Sequence, residues 1–358
     1  MKRAFLTIVM SISIRTCSIL MAQGTGLENL PGTYRNATAD EALKTATALY
    51  KLKNADQTIV RRNLAVQHAL LMQTPSLKSF TGLEVRFYAY GKPASALQER
   101  TSTEMRVMLY PFTKAFKTEK VVPVDEAPAY LSIYTNDLSM LLFNTDEWYD
   151  LTKKAKVPQF FNRFPITDST ENYMEVKANG KIFRILQLNN KPLFVPVTRK
   201  EYLQFLVSRE EILLGESEKI VVDNRERAKT SKAQKDGYEK IYASNITTWQ
   251  ENVDQAKEKL RQYKETIAGL TPEQASSGAY VNPDKAGDYE AKLAPVGRKD
   301  GKALYKINPD YYDKSKSTSA AQVVVVTYWY HTQFCPQWMQ SFTKELFTEI
   351  DYSALKKK

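Results

Sequence analysis

The spacing of apolar residues changes along the chain, and each spacing predicts a different type of element. Apolar residues recur every three or four positions over 38–52, where Thr38 and Glu41 form a capping-box pattern, and again over 56–72. This period predicts two amphipathic helices. Between 83 and 197 the period shortens towards two and predicts β-strands. The predicted strands cover 83–90, 105–110, 130–134, 138–143, 173–177, 181–188 and 192–197.

Turn-forming residues separate these strands. Asn136-Asp137 lies between two of them, and Asn179-Gly180 lies between the strands of a predicted hairpin, since both of its residues accept positive φ. Pro192 and Pro196 cannot donate hydrogen bonds to a neighbouring strand. The strand that contains them is therefore predicted to lie at a sheet edge.

The most regular pattern lies between 242 and 270, where apolar residues follow one another in alternating steps of four and three. Nine such positions cover about four heptads, which is typical of a coiled-coil helix. We call them the seam, and its residues are Tyr242, Ile246, Trp249, Val253, Ala256, Leu260, Tyr263, Ile267 and Leu270. Burying each larger side chain is worth about 1.5–3 kcal/mol, so the seam requires a partner helix.

An earlier helical stretch can supply that partner. A second capping box, Thr198 and Glu201, opens it, and Asp236-Gly237 offers a place for the chain to reverse. The prediction is an antiparallel hairpin in which 199–230 pairs with 238–270. The first arm is less apolar than the second, so pairing between two chains is an alternative. Packing of both helices against the globular core is another.

The remaining segments complete an α+β fold. Residues 271–298 are predicted to form a linker, and 303–307 and 321–330 to form strands. The unbroken run Val323–Val326 implies burial on both faces and a central place in the sheet. After Pro336 a closing helix is predicted. Its inward residues are Met339, Phe342, Leu346, Phe347 and Ile350.

The predicted fold therefore has N-terminal helices and a mixed or antiparallel sheet, interrupted by a long antiparallel helical (coiled-coil) hairpin and closed by a C-terminal strand and helix. The predicted domains are an α+β globular domain of 38–198 plus 299–358, a helical hairpin of 199–270 and a linker of 271–298.

The N-terminus resembles an export signal. Lys2 and Arg3 precede an apolar run of eleven residues, Ala4 to Ile14, which is too short to span a bilayer. We predict a signal peptide over 1–22, cleaved after Ala22, and a periplasmic or cell-surface location. No transmembrane span is expected after cleavage. An uncleaved apolar N-terminal segment is the alternative.

The net charge of the chain limits the classes of binding partner that we expect. The chain has 358 residues, of which 43% are hydrophobic and 25% are charged, with 51 basic against 40 acidic side chains. Three basic residues leave with the signal, which lowers the net charge from +11 to +8. This charge is compatible with an anionic glycan as a partner. The basic residues are dispersed, and export separates the chain from the genome, so no nucleic acid is expected.

Catalytic and cofactor motifs are scarce. The chain has only two His and two Cys, and the predicted signal peptide removes Cys17, so no metal site or other cofactor site is expected. His331 and Cys335 lie four apart but straddle a predicted strand end, and we interpret Cys335 as a core residue. The pair Ser341 and Lys344 lacks the companion motifs of acyl-transfer enzymes. No catalytic residue is assigned.

These observations lead to a primary hypothesis and two alternatives. The primary hypothesis is an exported, non-enzymatic envelope protein whose coiled-coil hairpin mediates protein–protein interaction or self-association. The alternatives are an exported hydrolase that acts on glycan or peptide, and a glycan-binding module. A concave pocket with converging acids would favour the hydrolase, whereas a flat aromatic strip would favour glycan binding.

Overall fold

The computed structural model describes most of the chain in two compact units. The described residues are 26–46, 49, 51–94, 100–142, 160–162, 166–178, 180–230, 237–281, 293–294 and 302–356. The predicted signal peptide lies outside them. The first unit comprises the described residues within Met1–Leu141, Phe164–Pro192 and Asp310–Lys358, and the second those within Leu142–Arg163 and Leu193–Pro309.

The elements alternate along the chain. The strands are β1 (Thr33–Arg35), β2 (Leu83–Lys92), β3 (Ser102–Lys114), β4 (Val121–Pro123), β5 (Ala129–Thr135), β6 (Phe160–Asn162), β7 (Ile166–Ser169), β8 (Met174–Ala178), β9 (Lys181–Gln187), β10 (Phe194–Pro196), β11 (Tyr280–Val281), β12 (Lys302–Ile307) and β13 (Val323–Tyr330). The α-helices are α1 (Ala39–Leu43), α2 (Asn54–Gln73), α3 (Pro75–Lys78), α4 (Ser139–Leu142), α5 (Arg199–Ala228), α6 (Glu239–Ala268), α7 (Pro272–Ser276), α8 (Gln337–Glu349) and α9 (Tyr352–Lys356).

The first unit contains a mixed sheet with the order β1-β2-β3-β5-β13-β9-β8-β7, and β4 pairs with β3. The pair β1–β2 is parallel, and the other pairs are antiparallel. Strand β13 pairs with β5 on one side and β9 on the other. Val323–Val326 are buried on both faces, so the predicted central position of this strand is confirmed.

One face of this sheet forms the main core with the helices. Alternate residues of β2, namely Val85, Phe87 and Ala89, are fully buried there. Residues of α2 and α8, such as Leu64 and Met339, belong to the same buried cluster. The strand residues that recur every two positions and the helix residues that recur every three or four positions therefore pack against each other in one hydrophobic layer, as the sequence predicts.

Two local predictions in this unit are wrong. The described part of the predicted strand 138–143 is helical, because the Asp137 carboxylate accepts hydrogen bonds from the N–H and hydroxyl of Ser139 and so caps a helix start. The helix predicted over 38–52 ends at Leu43, although its capping box at Thr38 is confirmed. The apolar residues that follow, Ala46 and Leu49, are still buried in the core.

The second unit contains a small sheet and two long helices. Its strands follow the order β10-β12-β11, and β6 also pairs with β12. Strand β10 lies at the end of this order, as its prolines predict, but it does not belong to the larger sheet. The antiparallel pair α5 and α6 forms the predicted helical hairpin.

The second unit contains more of the chain than the two long helices. Residues 193–198 and 302–309 lie in the second unit with the hairpin. The segment predicted as a linker includes α7, which begins with a capping box formed by Thr271 and Gln274, and β11, which pairs with β12.

Among the helices of the described segments, none combines the length and the apolar character needed to span a bilayer.

Candidate functional site

The helical hairpin is the element to which the sequence assigns an interaction role, and its first helix has a well-defined start. The hydroxyl of Thr198 accepts a hydrogen bond from the N–H of Glu201 at 3.2 Å, and the Glu201 carboxylate accepts one from the N–H of Thr198 at 2.9 Å. Lys306 of β12 donates to the same carboxylate. These contacts lower the pKa of Glu201 against the opposing effect of its partial burial. The hairpin is thus anchored to the small sheet through a charged cap.

The seam residues lie in three zones along α6. At the inner end, Tyr263, Ile267 and Leu270 pack against a buried cluster. That cluster consists of Val197, Tyr202, Leu203, Leu206, Ala279 and Leu304.

In the middle of the helix, Val253, Ala256 and Leu260 are buried. At the outer end, Tyr242, Ile246 and Trp249 are only half-buried. All nine seam positions are less exposed than most of the residues between them, but burial is complete only in the middle zone.

The opposing helix presents a polar stripe. Glu210, Ser217 and Asn224 recur every seven residues on α5, and all three are buried. The amide of Asn224 donates to the carbonyl oxygen of Ile220 at 2.8 Å. A guanidinium nitrogen of Arg209 lies 3.5 Å from the Glu210 carboxylate, and both side chains are less than a tenth exposed. These residues explain why the apolar pattern of the first arm is weak although the arm is a partner helix.

Polar contacts between the two helices recur at heptad intervals. Arg225 donates to Gln250 at 3.3 Å, and the next contact joins Glu218 to Lys257 at 3.2 Å. The third joins Glu211 to Lys264 at 3.0 Å. Each step moves seven residues back along α5 and seven forward along α6, so the pairing is antiparallel and in a constant register.

The outer end of the hairpin exposes apolar side chains. Tyr238 and Ile241 are 49% and 53% exposed there, and Val222, which lies level with Val253 in the middle zone, is 50% exposed. The register of the polar contacts places Ile246 and Trp249 level with 226–229, the last turn and C-cap of α5, where the residues are Glu, Arg, Ala and Lys. The outer seam therefore faces a stretch of α5 with little apolar surface.

His331 and Cys335 do not form a nucleophile–base arrangement. The Nδ1 atom of His331 accepts from the backbone N–H groups of Gln333 and Phe334. Cys335 is buried in the main core, and burial raises the pKa of its thiol to about 12. A catalytic thiol requires the opposite shift. This geometry places Cys335 as a small core residue.

The other histidine and the Ser341–Lys344 pair lie in separate places in the first unit. His68 is buried 4.7 Å from the ring of Phe87, and burial lowers its pKa. Ser341 and Lys344 are both exposed on α8. Within the described segments, no group of three or more His, Cys, Asp and Glu residues is placed to hold a metal ion.

The face of the larger sheet opposite the main core carries a further feature, which we call the aromatic–arginine strip and define as Tyr90, Arg106, Tyr130 and Trp329. The Arg106 guanidinium lies 5.1 Å from the ring centre of Tyr90 and 4.9 Å from that of Tyr130. Tyr130 in turn stacks on Trp329 with a centroid separation of 5.5 Å. Residue alternation within the predicted strands could have revealed it, because these aromatic and arginine residues occupy the positions between the core residues.

No family model matches the chain, and neither a curated protein nor a solved structure is detectably similar to it.

Proposed function

We propose that the helical hairpin is an association element through which two copies of the protein bind each other, and that the protein acts by assembly rather than by catalysis. The observation that carries this proposal is the uneven burial of the seam. Its middle zone is buried against α5, whereas Tyr242, Ile246 and Trp249 remain half-buried at the outer end.

The exposed outer residues supply an apolar surface of the right kind. Tyr238 and Ile241 lie three residues apart, which places them on the same side of α6. Tyr242 and Ile246 follow Tyr238 at four-residue steps and extend the apolar surface along the seam towards the middle of the helix, whereas Ile241 lies at the edge of this surface. A helix of 30 residues is about 45 Å long, so the outer end provides several turns for a contact.

A second copy is the occupant that matches this surface. In a two-fold contact the same patch meets itself, so the apolar outer seam of one copy covers that of the other. Charges of both signs flank the patch, including Asp223, Arg227, Glu239 and Lys240. Antiparallel self-pairing brings opposite charges together from such a mixed set.

Sedimentation of the purified protein tests the proposal. We expect a dimer at micromolar concentration, and we expect Ile241→Asp to convert it to a monomer because the carboxylate would be buried in the contact. Ala243→Asp is the matched control, since it adds the same charge at an exposed position on another side of α6. A native protein that remains monomeric at 100 µM overturns the proposal, as does an Ile241→Asp variant that still dimerises.

We also propose that the protein is exported to the periplasm or cell surface. The support is the sequence pattern of Lys2 and Arg3 followed by the apolar run 4–14. Mass spectrometry of the protein recovered from the envelope fraction is expected to give an N-terminal peptide that begins at Gln23. A protein found only in the cytoplasmic fraction with Met1 retained contradicts this proposal.

A further inference from the structure

A groove in the first unit lies between α2 and α9, over the ends of three neighbouring strands of the larger sheet. Val324 of β13 lies on its floor and pairs with Thr135, the last residue of β5, and with Leu186 of β9. The volume of the groove is about 350 Å³, which is within the range of small-molecule sites. The aliphatic side chains that line it include Ile59, Val66, Leu188, Ala321, Val324 and Leu355.

The walls of the groove leave apolar surface in contact with solvent. Ile59, Val66 and Leu188 are each only half-buried. The polar side chains Gln67 and Thr135, which also line the groove, are joined to each other by a hydrogen bond of 2.6 Å. None of the described residues that line the groove is aromatic. An aliphatic chain that lies in the groove would therefore remove apolar surface from water on both the protein and the ligand.

Two cations lie at the rim of this apolar groove. Arg62 of α2 and Lys316, in the loop before β13, both line it, and both side chains are exposed. Neither forms an ion pair with any residue that the structure describes. The described residues that line the groove include no acid. Charge complementarity therefore favours a ligand with an anionic head.

The acids of the neighbouring turns are held by serine side chains. The carboxylate of Asp56, in the first turn of α2, accepts a hydrogen bond from the Ser317 hydroxyl at 2.8 Å. Asp313 accepts from the hydroxyl and the N–H of Ser315 at 2.6 Å and 3.0 Å. These two bonds, and then the charge of Lys316, lower the pKa of Asp313. Both acids are thus engaged outside the groove.

The rim is held in place by contacts between the loop and the rest of the first unit. The amide of Asn63 in α2 donates to the carbonyl oxygen of Ser319 at 3.3 Å. The guanidinium of Arg100, which is buried, donates to the carbonyl oxygen of Ser317 at 2.9 Å. Since these contacts fix the loop before any ligand arrives, binding requires little further ordering of the protein.

We propose that this groove binds a free medium-chain fatty acid, with its chain on the aliphatic walls and its carboxylate beside Arg62 and Lys316. A water molecule takes about 30 Å³ in the liquid and a methylene group has a similar size, so the groove holds a chain of about ten carbons. The proposal goes beyond the association of the hairpin and is independent of it, because the residues of the groove all belong to the first unit.

Calorimetric titration of the full chain tests the proposal. The probes are the saturated fatty acids of six, eight, ten and twelve carbons, below the concentrations at which they form micelles. We expect each added methylene to tighten binding about two- to fourfold until the groove is full at about ten carbons. Absence of decanoate binding at about 1 mM overturns the proposal, as does an affinity that does not depend on chain length.

Probes of the same length with other heads test the role of charge. Decanoate is expected to bind about tenfold more tightly than decanol, and decyltrimethylammonium more weakly than either. Equal binding of decanoate and the cationic probe overturns the assignment of the rim. Binding to vesicles of anionic phospholipid without binding of free decanoate would identify a membrane lipid as the occupant and would also overturn the proposal.

Variants of the two cations locate the head of the ligand. Arg62→Gln and Lys316→Gln are each expected to weaken decanoate binding about two- to fivefold, the effect of one exposed ion pair, and to leave decanol binding unchanged. Arg61→Gln is the matched control, since Arg61 is an exposed arginine of the same helix that does not line the groove. Unchanged decanoate affinity in the double variant of Arg62 and Lys316 overturns the proposal.

A variant that fills the groove locates the chain of the ligand. Ala321→Leu is expected to weaken the binding of decanoate and of decanol alike by about tenfold, because its longer side chain takes up space that the ligand needs. Thermal unfolding shows whether the variant keeps the native fold. A folded Ala321→Leu protein that binds decanoate as well as the native chain overturns the proposal. If the variant does not fold, the variants of Arg62 and Lys316 decide the question, since both residues are exposed.

Discussion

The side-chain oxygen of Asn136 accepts a hydrogen bond from the backbone N–H of Gln322 at 2.9 Å, so the turn after β5 is joined to the residue that precedes β13. The Asn136 amide also donates to the carbonyl oxygen of Ala320 at 2.9 Å. Asn136 is buried and has a φ of 56°, a backbone region that asparagine tolerates better than most residues. One residue therefore sets both the turn and the attachment of the central strand.

Replacing Asn136 separates these two roles. Asn136→Gly keeps the positive φ but removes the side-chain hydrogen bonds, and we expect it to lower the free energy of unfolding by about 2–4 kcal/mol. Asn136→Ala loses the same hydrogen bonds and also strains the backbone at positive φ. We therefore expect it to lower the free energy of unfolding by about 1 kcal/mol more than Asn136→Gly does. Urea unfolding of both variants measures the difference. Equal stability of the glycine variant and the native protein would contradict this role.

The middle zone of the seam is expected to hold the hairpin together. Leu260→Ala removes a buried side chain and should destabilise the second unit by about 2–4 kcal/mol. Hydrogen exchange of the α5 and α6 amides measures this locally, which separates it from unfolding of the first unit. Glu251→Ala, at an exposed position on the same helix, should change exchange little. Similar exchange rates in the two variants would show that the middle zone contributes no more than the helix surface.

The polar contact between Glu218 and Lys257 can be tested by exchanging its charges. Both side chains are about half exposed, so Glu218→Lys alone should cost less than about 1 kcal/mol. The double variant Glu218→Lys, Lys257→Glu should recover most of that loss, because the pair is re-formed in the same register. Thermal unfolding at low and high salt measures both effects. A double variant that is less stable than each single variant would argue against the register.

Cys335 is expected to make stability depend on pH. Its folded pKa is about 12, above the ordinary value near 9, so the folded state keeps the thiol proton where the unfolded chain loses it. The contribution is therefore fully present below about pH 9 and is lost as the pH rises towards 12. Between pH 8 and 10 the native protein should lose about 1 kcal/mol more than Cys335→Ala. Both proteins should carry Cys17→Ser, which removes the other thiol. If the stability of the native protein and that of Cys335→Ala change with pH in the same way, the predicted effect of burial on the Cys335 thiol is wrong.

The sequence predicts best those elements whose pattern depends on one strong physical constraint. The Val323–Val326 run requires burial on both faces, and β13 is central. The capping boxes at Thr38 and Thr198 require particular side chains three residues apart, and both form. The antiparallel hairpin follows from a stripe that needs a partner.

The failures have local or long-range causes. The composition of Leu138 to Phe143 is typical of a strand. However, the hydrogen bond from the N–H of Ser139 to the Asp137 carboxylate starts a helix in the described part of this segment. The membership of β10 and β12 in a separate sheet depends on pairing between residues far apart in sequence, which no local pattern encodes. The polar stripe of α5 weakened the apolar pattern of the first arm, although its pairing with α6 was predicted, because buried Glu210, Ser217 and Asn224 are residue types that usually lie at the surface.

The aromatic–arginine strip shows the same limit. Tyr90, Arg106 and Tyr130 lie on three different strands and become neighbours only through the register of β2, β3 and β5.

The place of β13 between β5 and β9 has a consequence for biosynthesis. About half of the chain must be made between the end of β5 and the start of β13, which takes about ten to forty seconds at ordinary translation rates. During that interval the edge of β5 that later pairs with β13 has no partner strand, and strands of other nascent chains can bind to it. A ribosome that stops before Val323 would therefore release a product prone to aggregation, and chaperone protection would be needed most at this late stage.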